Sequence, residues 1–85
     1  VIVSSDDYNR YNWVVVVVPL TSAATARFDQ VLITPPEGGL RNPTVTHPDQ
    51  IRAIDRDRLI QKIGQLDPAT MAEISASLKT VLALP

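Results

Sequence analysis

A chain of 85 residues, 45% hydrophobic and 20% charged, holds one small core and excludes a second. Eight basic and nine acidic residues leave a formal charge of -1, which argues against indiscriminate binding to polyanions, and the lack of cysteine excludes disulfides, thiolate metal sites and thiol nucleophiles. The longest apolar run, Trp13 to Leu20, is cut by Pro19 and falls far short of the ~20 residues that a membrane helix needs, so no membrane association and a cytoplasmic location are expected.

Val1-Ile2-Val3 is a β-branched run with no lead-in, which predicts a strand and a natural N-terminus, with a neighbouring strand, lying upstream of this sequence. Ser4-Ser5-Asp6-Asp7 favours a turn or a helix cap, and Tyr8 to Asn12 one helical turn or a polar loop. Trp13 to Val18 is the clearest strand signal, because stacked β-branching suits a pleated surface buried on both faces; it is expected at the centre of a sheet, with Trp13 in the core. Pro19 lacks an amide donor and marks the strand's end or a bulge, after which Leu20-Thr21-Ser22 leads into an Ala/Thr-rich loop.

Phe28 to Thr34 reads as a further strand, and Pro35-Pro36-Glu37-Gly38-Gly39 as a tight turn. Thr44 to His47 is expected to be extended, since a residue before proline is pushed out of the helical region. Gln50 to Ile54 alternates polar and apolar residues, which places Gln50 and Arg52 on one side of a strand. Asp55-Arg56-Asp57-Arg58 reads as a solvated turn, and Leu59 to Leu66 is ambiguous between strand and helix, with strand the preferred reading. Asp67-Pro68 opens a helix, as N-cap and first residue, and Met71, Ile74, Leu78, Val81 and Leu82 form its apolar stripe. Short strands followed by one helix predict a mainly β fold, a small barrel or strongly bent sheet carrying a C-terminal helix.

No phosphate-binding glycine loop, metal-ligand spacing or nucleophile elbow occurs, so no cofactor or metal is expected. Thr21 and Ser22 stand where the central strand leaves its sheet, a rigid support for hydroxyls that face a ligand. His47 is the only histidine and the only side chain whose ordinary pKa suits proton transfer near neutrality. Asp49, Gln50 and Arg52 join an acid, an amide and a guanidinium, a set able to read a base edge and clamp a phosphate, or simply to form a solvated strand edge. Trp13 or Tyr8 is a platform for stacked bases if exposed.

Val1-Ile2-Val3-Ser4-Ser5-Asp6, Val14 to Val18 with Pro19-Leu20-Thr21-Ser22, Glu37-Gly38-Gly39-Leu40, and Asp49-Gln50-Ile51-Arg52-Ala53-Ile54-Asp55 with Arg58-Leu59 follow in an order and spacing that resemble the MazF/PemK toxin family over nearly the whole chain. The resemblance implies an SH3-like barrel, dimeric assembly, an antitoxin partner of the MazE kind and sequence-selective, metal-independent cleavage of single-stranded RNA. It further implies that Thr21 contacts the scissile phosphate, that Ser22, Gln50 and Arg52 lie at the RNA surface, and that His47 and Asp49 share the acid/base work. The family's main catalytic arginine, in an Arg-Pro pair directly before the first strand, is expected upstream of Val1. The alternative reading is a non-catalytic barrel that binds an antitoxin or inhibits a protein target, as CcdB-type toxins do with gyrase.

Overall fold

The computed structural model describes residues 1–85. Ser5 caps a short helix, α1 (Asp6–Tyr11), by accepting the Tyr8 amide on its hydroxyl, so the polar stretch forms a helix of its own. Five strands follow: β1 (Val14–Val17), β2 (Leu20–Ser22), β3 (Leu32–Ile33), β4 (Thr44–Thr46) and β5 (Arg52–Asp55). The chain ends in α2 (Pro68–Val81), which begins at Pro68 as expected, although the Asp67 side chain makes no capping bond.

The strands form two sheets. In one, β1 pairs antiparallel with β5; in the other, β4 lies between β2 and β3, antiparallel to both. Val1 to Val3 lines the free side of β1, with Ile2 opposite Val17 and the Val3 and Val18 amides donating to the Val16 and Val1 carbonyls, so β1 is central as its composition demands. Barrel closure is not seen. Leu59 to Leu66, expected as a strand, carries no regular secondary structure, and the strand expected over Phe28 to Thr34 is reduced to Leu32–Ile33. Phe28 is 95% exposed, because the segment before Val31 is committed to a turn in which the Gln30 amide donates to the Arg27 carbonyl.

The core lies under α2. Ile74 packs with Val31 and Ile33, and Leu20, Leu40, Leu66, Met71 and Leu78 close around them. Thr46 is buried yet satisfied, since its hydroxyl accepts the Val31 amide at 2.9 Å and its own amide donates to the Val31 carbonyl. Ser77 donates its hydroxyl to the Asp29 carbonyl at 2.6 Å and ties α2 to the turn over residues 27–30.

β1 and β2 are one strand bent at Pro19, and β4 and β5 are one strand bent at Pro48. Between the pairs Val17–Arg52 and Leu20–Thr46, one arm holds only Val18 and Pro19, while the other holds His47, Pro48, Asp49, Gln50 and Ile51. Pro48–Gln50 coils the surplus into a single 3-10 turn, which accommodates the mismatch and turns the hairpin from one sheet into the other. Neither proline has an amide to donate, and the His47 amide on the Pro19 carbonyl, at 2.9 Å, is the rung that spans the bend.

The Gly38-Gly39 turn does more than reverse the chain. Both glycines have positive φ, and a Cβ on Gly39 or Gly64 would collide with the backbone of the opposite segment, Ile63 or Gly38 respectively, so the two backbones cross without side chains between them. This crossing locates residues 59–66, and the Asp67 amide, donating to the Glu37 carboxylate at 3.1 Å, fixes the start of α2 beside it. Gly64→Ala is expected to lower unfolding stability by about 2 kcal/mol, read from chemical denaturation, because backbone rather than a flexible side chain would have to move.

Candidate functional site

The bend gathers most of the residues singled out from sequence. Thr21 lies on β2 just past Pro19, opposite Val45, and is exposed. His47 follows β4, and its amide donates to the carbonyl of Pro19, two residues before Thr21. Asp49 and Gln50 project from the 3-10 turn, both exposed, and Arg52 is the first residue of β5. Val1 pairs with Val18, so the N-terminal end of the first segment also lies at the bend.

Three placements differ from the sequence reading. Gln50 is not in a strand, because the turn begun by Pro48 runs through it; the even spacing to Arg52 therefore does not put both on one face of a regular strand. Ser22 pairs with Thr44 and, one residue along from Thr21, points to the opposite face of β2, so the structure does not bring the two hydroxyls together. Trp13, expected in the core, is 86% exposed.

The charged groups at the bend are free. The ion pairs of the structure are Arg10–Asp7 and Arg27–Asp29, and neither Asp49 nor Arg52 is committed to a partner. An exposed carboxylate and guanidinium on a rigid turn and strand start are available to a ligand at little reorganisation cost.

His47 is held by a residue the sequence reading missed. The Gln30 amide nitrogen lies 3.4 Å from His47 Nδ1, while the Gln30 carbonyl oxygen accepts the Arg27 amide at 3.0 Å. The second bond fixes which end of the amide faces the ring: Gln30 donates, so Nδ1 of the neutral imidazole accepts and the ring proton sits on Nε2. No spacing rule links Gln30 to His47; only the folding of β3 against β4 brings them together. Because His47 is the only histidine, its ring nitrogens can be read directly by NMR. The neutral wild-type ring is expected in the Nε2–H form, and Gln30→Ala to raise the Nδ1–H fraction several-fold.

Residues 1–82 match the model of the PemK-like, MazF-like toxins of type II toxin-antitoxin systems. The chain is 33% identical over 90 aligned residues to the endoribonuclease MazF9 of Mycobacterium tuberculosis, an alignment covering 99% of this chain and 76% of the relative. Among solved structures, a mycobacterial endoribonuclease in complex with its cognate antitoxin superposes with a TM-score of 0.85 at 33% identity, over 100% of this chain and 80% of that one. The Mycobacterium tuberculosis toxin MazF-mt6 gives a TM-score of 0.88 at 20% identity, over 100% and 85% of the two chains, a likeness of fold.

Proposed function

The chain belongs to the family of PemK-like, MazF-like toxins, and from that membership we propose that the bend between its two sheets is where it cuts RNA. The protein is a MazF-like endoribonuclease toxin of a toxin-antitoxin system. The observation that carries the location is the unequal hairpin: the surplus turn opposite Pro19 sets an exposed threonine, the sole histidine, a carboxylate, an amide and a guanidinium around one bend, with the two charges uncommitted.

The reaction is attack of a ribose 2′-oxygen on the adjacent phosphorus. The new P–O2′ bond forms as the P–O5′ bond breaks, leaving a 2′,3′-cyclic phosphate and a 5′-hydroxyl. One proton leaves the 2′-hydroxyl and one reaches the 5′-oxygen, so an acceptor and a donor are sufficient and no metal is needed. Thr21 Oγ1 donates to a non-bridging phosphate oxygen, where negative charge grows in the transition state. The imidazolium form of His47, in which Nδ1 no longer accepts from Gln30, donates its Nε2 proton to the leaving 5′-oxygen, and the Asp49 carboxylate is the acceptor. Gln50 and Arg52 hold the strand, the amide at a base edge and the guanidinium at a neighbouring phosphate.

The fold is that of a MazF-like toxin, with strands and a C-terminal helix. We assign the closed SH3-like barrel and the homodimer to the complete assembly: Ile60 and Ile63, 97% and 63% exposed, with Leu59 beside them, form an apolar segment that a second copy would cover. An antitoxin of the MazE kind, laying an acidic extended segment across Arg52 and the bend, would block the site; the solved relative is a complex with its cognate antitoxin. No helix is long and apolar enough to cross a membrane, in keeping with a cytoplasmic site of action on RNA.

Cleavage of a mixed-sequence RNA in EDTA by the full-length protein tests the reading. Thr21→Ala is expected to cut initial rates about 100-fold or more with the melting temperature unchanged, and Thr21→Ser to retain much of the activity. Full activity in Thr21→Ala would remove the hydroxyl from the mechanism. His47→Ala is expected to lose roughly 100-fold on natural RNA, and less on a substrate whose 5′-oxygen is replaced by sulfur, a leaving group that needs no proton.

A further inference from the structure

At the end of β1 far from Thr21, two aromatic rings stand in water. Tyr11 is 78% exposed and Trp13 86%, although tryptophan is among the more buried residues on average. Their backbone is not loose. The Trp13 carbonyl accepts the Arg56 amide at 2.9 Å, the last rung beyond the β1–β5 ladder, and the Arg56 guanidinium donates to the Asn12 carbonyl at 3.3 Å. Asn12 in turn donates its side-chain amide to the Tyr8 carbonyl at 2.8 Å, closing the end of α1. The Arg10 guanidinium lies 6.0 Å from the centre of the Tyr11 ring.

Arg10, Tyr11, Asn12, Trp13 and Arg56 line one shallow cleft, with no aliphatic side chain among them. A strand of unpaired nucleotides finds there π faces for its bases and guanidiniums for its phosphates. Asp7 lies 4.0 Å from Arg10 but is 87% exposed, and Asp55 and Asp57 flank Arg56 in sequence, so these groups carry no net positive charge and stacking must supply the attraction. That is the mode open to a chain whose net charge is -1.

We propose that this cleft is a second RNA subsite, in which Trp13 and Tyr11 stack unpaired bases of the strand that flanks the scissile linkage. It rests on the endoribonuclease reading. From Trp13 to Thr21 the chain can extend at most about 27 Å, and less across the bend, so the stacked bases belong to nucleotides several positions from the cut. Short substrates end before reaching them.

Because Trp13 is the only tryptophan, its emission reports on this cleft alone. The probes are 2′-O-methyl RNA strands, which cannot be cleaved, of about 12 and about 4 nucleotides, titrated into the full-length protein with binding followed separately by polarisation of an end label. The longer strand is expected to quench Trp13 and the shorter to bind without quenching. Trp13→Ala is expected to weaken binding of the longer strand about 10-fold and leave the shorter unchanged, Trp13→Phe to restore most of it, and the salt dependence of the difference to be small. Binding of the longer strand with unaltered emission would overturn the subsite and leave the nuclease intact. Emission that instead follows protein concentration without RNA would assign the rings to a contact between copies, and failure of either strand to bind would bring down the endoribonuclease reading together with the subsite.

Discussion

The molecule depends on a hydrogen-bonded rung placed where a ladder has run out of donors. Pro19 and Pro48 remove an amide from each arm of the long hairpin, and the His47 amide on the Pro19 carbonyl joins the arms between the two sheets. Without that rung the surplus residues on one arm would be a loose loop; with it they coil into a single tight turn, closed again by the Gln50 amide on the His47 carbonyl. The bend is thus rigid for the same reason that it is irregular.

That rigidity is what a metal-free phosphoryl transfer requires. Such a reaction offers the protein little covalent chemistry, so the advantage comes from donors and charges already in position when charge develops on the phosphate. A hydroxyl on β2, an imidazole at the end of β4 and a guanidinium at the start of β5 are carried by strand ends, not by a flexible loop. The imidazole is further constrained at its ring, since the Gln30 amide is itself held by the Arg27 backbone. Stacking at Trp13 would add affinity at a distance without disturbing any of these groups.

Much of this was legible in the sequence where one local cause dominates. The five consecutive valines make a central strand whatever surrounds them, Asp67-Pro68 starts a helix, and the prolines announce breaks. The failures share a different cause, contacts between distant segments. Phe28 to Gln30 has strand composition in part, but the backbone and side chain of Gln30 bond back to Arg27 and hold a turn. Leu59 to Leu66 has the residues of a strand, but its backbone is pressed against Gly38 and Gly39 and finds no ladder partner. Trp13 stands at a strand end, two residues before the first buried position, Val15, a difference that no hydropathy pattern resolves. Within the proposed site, Thr21, His47, Asp49 and Arg52 are candidates from residue type and family pattern, whereas the Gln30 contact and the separation of Ser22 from Thr21 follow only from sheet register.

The bond from the Ser77 hydroxyl to the Asp29 carbonyl makes the terminal helix a structural neighbour of the proposed site, against whose 3-10 turn the helix also packs. The turn it grips is the one whose glutamine steadies the imidazole. The seating of α2 therefore sets how firmly that ring is aimed, and a change on the helix surface can detune proton transfer without altering any group that meets the nucleic acid.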